Sequence, residues 1–248
     1  MKPALLIITL CLSAISPGQA AANTSRPVSL ACTHFPPYKI EATSQDTEHS
    51  GIDLDIMRAA FAKVGYDVEF DFYPWKRTVE MSKKGQVDGL CGCNYRPERE
   101  QDFIFSDTMG NHSQGVFINA SSPIKEISSL NDLAGQSVAV VRGYTIHKEL
   151  SEHPGINAIE ANNDRQLLRM LNADRIDAAY SFRDIILYRM SHNSAARKVR
   201  YFELDSQPYY LCFSRYRDSI EIIKDDFNRG LRTIKYDGTY KEIWQKYR

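Results

Sequence analysis

Residues 28–93 switch repeatedly between the two-residue period of a strand and the helical period, and this alternation constrains the fold more than any other feature. Val28 to Cys32 reads as a short strand, followed by a loop from Thr33 to Tyr38 that holds Pro36 and Pro37. Gly51 precedes a helical segment with Ile52, Ile56, Ala59, Ala60, Ala62 and Val64 in phase, and Gly65 ends it as a C-terminal glycine should. Asp67 to Phe72 alternates Val68, Phe70 and Phe72 as a strand does. Trp75 to Lys84 is a second helix ended by Gly85, and Val87 to Cys93 is a third strand. Strands joined by helical crossovers run parallel, so the spacing predicts an α/β lobe with a largely parallel sheet.

A second unit of the same kind begins after Ser113. Its expected strands are Gly115 to Asn119, Ser137 to Val141, Ile156 to Ile159 and Ala178 to Tyr180. Its expected helices are Ser129 to Leu133, capped by Ser128 or Ser129, then one after Gly143 and Thr145, then Asp164 to Leu171 and Ile185 to Met190. A late strand at Tyr209 to Phe213 and helices at Ile220 to Ile234 and Tyr240 to Tyr247 close the chain. Two such units place a binding site in the crevice between them, at the strand ends.

At 248 residues the chain holds one large domain or two small ones. The 31 basic and 31 acidic residues balance, which argues against a nucleic-acid binder whose affinity rests on excess Lys and Arg. The first twenty residues differ from the rest. Lys2 supplies a positive start, Ala4 to Ile15 is apolar apart from Thr9 and Ser13, and Pro17, Gly18 and Ala20 to Ala22 follow. This is the layout of a secretory signal peptide cleaved near Ala20 or Ala22, and the run is too short to span a bilayer. Cys11 follows Thr9 and Leu10, so a lipoprotein signal is rejected.

Four cysteines remain after cleavage: Cys32, Cys91, Cys93 and Cys212. An oxidising compartment permits disulfides, three pairings are open, and free buried thiols remain an alternative. Cys91-x-Cys93 lacks the gap of a zinc knuckle and the histidines show no metal spacing, so no metal or cofactor is expected.

Five motifs then resemble, in order and over essentially the whole mature chain, the extracellular solute-binding proteins of family 3, the periplasmic amino-acid-binding family. They are Gly51-Ile-Asp-Leu-Asp55; Val87-Asp88-Gly89; Pro97-Glu98-Arg99 with Phe105-Ser106-Asp107; Leu130-Asn-Asp-Leu-Ala-Gly135 with Val138-Ala-Val140 and Gly143; and Asp237-Gly-Thr-Tyr240 with Trp244. Pro74-Trp75-Lys76-Arg77 resembles one subgroup of that family. The resemblance implies a type II periplasmic-binding-protein fold: α/β, two lobes, each a mostly parallel sheet flanked by helices, joined by two hinge strands. It implies a signal peptide at 1–22, a first lobe from 23–110 and 207–248, and a second lobe at 111–206. Hinges are expected near Met109 to Ser113 and Asp205 to Tyr209.

The resemblance also assigns a site. Arg99 matches the arginine that grips the ligand carboxylate, a task suited to a planar guanidinium fork; a surface ion pair with Glu98 or Asp102 is the competing reading. Gly92 permits close backbone approach, and Asn94 stands where the family has a hydroxyl residue. Phe35 and Trp75 match two aromatic clamps, with Tyr38 a third candidate. Gly143, Tyr144 and Thr145 form a turn before a helix that favours an anion, with Arg142 adding charge and Thr145 a candidate N-cap. Phe182 stands where amino-acid binders carry the aspartate that pairs with the ligand ammonium. Asp184 lies two residues on, out of place unless the loop shifts. A ligand without an amine, with a modified amine, or with a cation held by Trp75 and Tyr180 is therefore in play beside ordinary amino acids.

The expected protein is a non-enzyme: an exported, periplasmic, monomeric binder of an anionic or zwitterionic small molecule, which it delivers to an ABC permease in the inner membrane. The alternatives are a sensor without a transport role and a dehydratase of cyclic acids on the same fold, with His34 in the first ligand loop as its candidate acid or base.

Overall fold

A computed structural model describes residues 26–43, 50–191 and 198–247; the expected signal peptide lies outside the described residues. The strands are β1 Val28–Cys32, β2 Val68–Phe72, β3 Gly89–Asn94, β4 Phe103–Phe105, β5 Gly110–Asn119, β6 Ser137–Val141, β7 Asn157–Ala161, β8 Ala178–Phe182 and β9 Val199–Ser214. The α-helices are α1 Ile52–Ala62, α2 Trp75–Lys83, α3 His147–Ser151, α4 Asp164–Asn172, α5 Arg183–Ser191, α6 Ile220–Tyr236 and α7 Thr239–Lys246.

The described strands form one continuous sheet in the order β2-β1-β3-β9-β5-β8-β6-β7, with β4 also on β9. The predicted parallel pairing holds in the outer strands: β1 with β2 and β3, and β6 with β7 and β8. The centre is antiparallel, because β9 runs alongside β3, β4 and β5 and joins the two lobes. β5 and β9 pair from Gly110↔Tyr209 to Asn119↔Val199, so each carries the chain from one lobe to the other.

Two strands are longer than their apolar patterns indicate. β5 begins at Gly110 rather than Gly115, and β9 spans 16 residues where only its apolar end, Tyr209 to Phe213, was legible. The added segments are rich in polar residues, which a burial pattern does not mark as strand. β4 was likewise hidden inside a motif.

Local signals explain the element ends. Gly51 has φ +122°, and a Cβ there would sit 2.5 Å from the Tyr38 carbonyl oxygen, so only glycine brings α1 this close to the first loop. Ser129 forms a capping box with Asp132 at the 3-10 turn Leu130–Leu133. The short α3 starts after Ile146, so Thr145 is not its N-cap.

Both cysteine pairs are bonded, Cys32–Cys91 between β1 and β3, and Cys93–Cys212 between β3 and β9. The β3–β9 register shifts between Leu90 and Cys93. Beyond this bulge Cys93 packs with Leu90, Phe103 and Cys212, whereas Cys91 packs with Cys32 in the main core. Two cysteines one residue apart thus serve opposite faces of a strand, which regular alternation forbids.

Candidate functional site

The parallel strands β1, β3, β6 and β8 end at Cys32, Asn94, Val141 and Phe182, and the loops that follow face each other across the lobes. A cavity of about 320 Å³ lies there. From one lobe come Phe35, Trp75, Gly92, Asn94 and Arg99; from the other come Gly143, Tyr144, Thr145 and Phe182. This is the crevice position expected of α/β sheets.

Arg99 is the last residue of the 3-10 turn that opens with Pro97, and the turn carries its side chain back over the end of β3. Its Nη1 donates to the Asn94 carbonyl at 2.7 Å, and its guanidinium lies 5.5 Å from the Trp75 ring centroid. No carboxylate stands within ion-pair distance of it among the described residues. The two competing partners are engaged elsewhere: Glu98 with Arg96 at 3.9 Å, Asp102 with Lys83 at 2.6 Å and with the Tyr216 hydroxyl. Burial, and secondarily Arg96, lower the Arg99 pKa from its ordinary value, the signature of a cation short of counter-charge.

Gly92 keeps the floor low. Its φ is +157°, and a Cβ would stand 3.4 Å from Lys39 Nζ and 3.6 Å from Asp53 Oδ2. The Asn94 side chain donates to the Pro208 carbonyl at 3.2 Å, tying β3 to β9. Phe35 meets the second lobe edge-on, 6.3 Å from Phe182 and 6.4 Å from Tyr144, while Phe182 and Tyr144 lie 5.4 Å apart. Trp75 opens α2 and stays 41% exposed, a flat wall at the cavity mouth.

In the second-lobe turn, the Tyr144 N–H donates to Val141 and its hydroxyl to Asp164 at 2.7 Å, so Tyr144 offers the cavity its ring. Arg142 does not join the site. It lies just beyond the end of β6, its side chain is 66% exposed, and it forks onto Glu160 of β7 at 2.6 and 2.8 Å, outside the cavity lining. Tyr38 and Tyr180 are core residues rather than cavity walls; their hydroxyls donate to Asp184 and Glu149, each at 2.9 Å. Asp184, buried at the start of α5, is held by Tyr38 of the other lobe and by Arg183, so it does not stand in for the carboxylate missing at position 182.

Among the wall residues that sequence reasoning missed, two are titratable. Lys39 lines the cavity and pairs with Asp53 at 2.9 Å; the side chains are 8% and 0% exposed. The Tyr209 hydroxyl donates to the other Asp53 oxygen at 2.6 Å. Burial raises the Asp53 pKa, and Lys39 and Tyr209 oppose it. The Asp53 position was legible in the Gly51–Asp55 motif, but nothing marked Lys39 as its partner. His112 of β5 stacks on Tyr209 with centroids 4.1 Å apart and 6° between planes. Its Nε2 is shielded from solvent without a partner among the described residues, and burial, aided by Lys39, lowers its pKa to about 3. The wall imidazole is therefore neutral at ordinary pH.

The model of the bacterial extracellular solute-binding proteins, family 3, matches residues 29–248. The chain belongs to that family. A glutamine-binding protein of an ABC transporter in Bacillus subtilis is 23% identical over 205 residues, 81% of this chain and 73% of that protein. A protein of Haemophilus influenzae named a probable amino-acid ABC transporter-binding protein is 27% identical over 196 residues, 78% and 74% of the two chains. In fold, the chain is similar to the open crystal structure of the second substrate-binding domain of Lactococcus lactis GlnP, with TM-score 0.70 at 20% identity over 90% of this chain and 97% of that one. Family membership makes the two-lobed architecture that of a solute-binding protein, and the cavity lies where its lobes meet.

Proposed function

We propose that this family 3 protein captures a small carboxylate-bearing ligand, an amino acid or a related compound, between its lobes. Residues 1–22 export it to the periplasm, and the liganded form docks on an ABC permease of the inner membrane. The lobes are 23–110 with 207–248, and 111–206. Arg99 takes the carboxylate, Phe35 and Trp75 hold the apolar part, and Gly92, Asn94 and the Gly143–Thr145 turn complete the contact surface.

One observation carries this reading: Arg99 lies over Trp75 at the cavity, without a carboxylate of its own among the described residues. A guanidinium in that state gains from a bidentate anion what it lost on leaving water. A binding rather than catalytic role also fits the histidines. His34 Nδ1 accepts the Glu41 backbone N–H at 3.1 Å, and His112 has too low a pKa to act as a base near neutrality.

Calorimetry against amino acids and simple carboxylates tests the proposal. Arg99→Ala is expected to weaken binding on the order of a hundredfold, since truncating one partner of a desolvated charge pair costs about 2–5 kcal/mol. Unchanged affinity would sink the assignment.

A further inference from the structure

The cleft continues past the cavity that Arg99 faces. An adjoining hollow of about 220 Å³ shares Asn94, His112, Thr145 and Phe182 with it and adds Gln114, Glu149 and Asp205. The charge here is of the opposite sign. Neither Glu149 nor Asp205 has a cation within ion-pair distance among the described residues. Arg96 borders the hollow, but the carboxylate nearest to it in the ion-pair network is Glu98 at 3.9 Å. Arg183 pairs with Asp184 and Glu203 instead.

Sheet register explains the position of Asp205. Phe182 of β8 lies opposite Gln114 of β5, and Gln114 lies opposite Asp205 of β9. Residues opposite one another share a face, so the three form one row looking into the cleft. Gln114 Nε2 donates to Asp205 Oδ2 at 3.1 Å, and Gln207 Nε2 donates to the same oxygen at 2.6 Å. The Ser206 N–H donates to Oδ1 at 2.7 Å. Across the hollow, Glu149 Oε2 accepts the Tyr180 hydroxyl at 2.9 Å. These neutral donors orient both carboxylates without cancelling their charge. Along the row, the nearest carboxylate to Phe182 is thus two strands away, about 10 Å at the usual spacing.

We infer that Asp205 and Glu149 form a second recognition subsite, which receives a cationic group at the far end of the ligand. It rests on the proposed carboxylate grip of Arg99. The ligand class is then a carboxylate with an ammonium or guanidinium separated from it by a short chain. Phe182, His112 and Gln114 form the uncharged strip between the two poles. His112 borders both hollows, and its shielded Nε2 has no partner among the described residues. A cleft that closed on Asp205 and Glu149 without a cation would desolvate two carboxylates with no counter-charge, which is costly.

The test is calorimetry on the mature protein with γ-aminobutyrate, δ-aminovalerate, ε-aminocaproate and a guanidino acid. Each is compared with its parent carboxylate and with the α-amino isomer. The expected result is that one of the ω-cationic acids binds on the order of tenfold or more tighter than both comparators. Asp205→Asn and Glu149→Gln should each cost about tenfold or more for that ligand and leave the parent carboxylate unaffected. Circular dichroism of the unliganded variants checks folding, and Glu149 is exposed, so its replacement does not burden the core. The inference is overturned if the parent acid or α-isomer binds as well, if both variants keep full affinity, or if no ω-cationic acid binds. Arg99→Ala separates the two claims. Loss of every carboxylate there, with the acidic variants silent, leaves the Arg99 grip standing and removes this subsite. Full binding by Arg99→Ala, with loss in Asp205→Asn, removes the Arg99 grip instead.

Discussion

A neutral imidazole stacked on a tyrosine gives this protein a pH signature. The His112 pKa falls from 6.5 to about 3 on folding, because burial disfavours the charged form and Lys39 repels it. Between those values the unfolded chain binds the proton and the native one does not, so unfolding takes up a proton. The stability that His112 contributes is complete above pH 6.5 and is lost as pH falls toward 3, at up to about 1.4 kcal/mol per pH unit. Urea melts of His112→Gln between pH 6.5 and 5 should show this slope reduced by about 1 kcal/mol per unit. His34, also lowered by burial, keeps a residual slope in the variant. An unchanged slope would mean that His112 protonates freely in the native state. Legibility at this scale was uneven. Arg99 stood out because its motif fixes its position, whereas His112 and Lys39 are ordinary polar residues until β5 and the first loop pack against Tyr209 and Asp53.

Among the elements, β3 and β9 were the hardest to read. The run Glu203 to Pro208 is mostly polar, yet it is strand, because β5 supplies ladder partners from the other side. The cysteine pairing was closed to sequence for a related reason: the β3 bulge sends Cys91 and Cys93 to different faces, which the spacing does not record. The disulfides span 59 and 119 residues, and in the chain-entropy account each closure contributes about 4–5 kcal/mol. Reduction should therefore lower the melting temperature markedly. The paired change Cys93→Ser with Cys212→Ser should reproduce about half of the loss; thermal melts with and without reductant check both. An unaltered melting temperature on full reduction would show that the bonds are dispensable.

For the whole molecule, specific contacts across the cleft are visible at Tyr38 and Phe35 among the described residues. The buried Tyr38 hydroxyl reaches Asp184 across the cleft at 2.9 Å, and Phe35 packs edge-on against Phe182 and Tyr144. A hydrogen bond to a charged group contributes about 1.5–3 kcal/mol, enough to bias an open–closed equilibrium tenfold or more. Tyr38→Phe removes the bond and keeps the ring. It should enlarge the unliganded radius of gyration by X-ray scattering and weaken ligand affinity by a similar factor. Identical scattering curves for variant and parent would show that this contact does not hold the lobes together.

By itself the sequence determined the strand–helix alternation, the parallel outer strands, the family motifs and the identity of most of the cavity wall. Those features depend on local periodicity and on residue types at fixed spacing, which a chain displays before it folds. Tertiary structure alone decided the cysteine pairing, the Lys39–Asp53 pair, the neutral His112, the outward turn of Arg142, the engagement of Asp184 by Tyr38 and the row from Phe182 to Asp205. Each of these depends on which residues distant in sequence, or on which face of a strand, are brought together. Register, bulges and the crossing of β5 and β9 set that arrangement, and one residue's shift in register would reverse it.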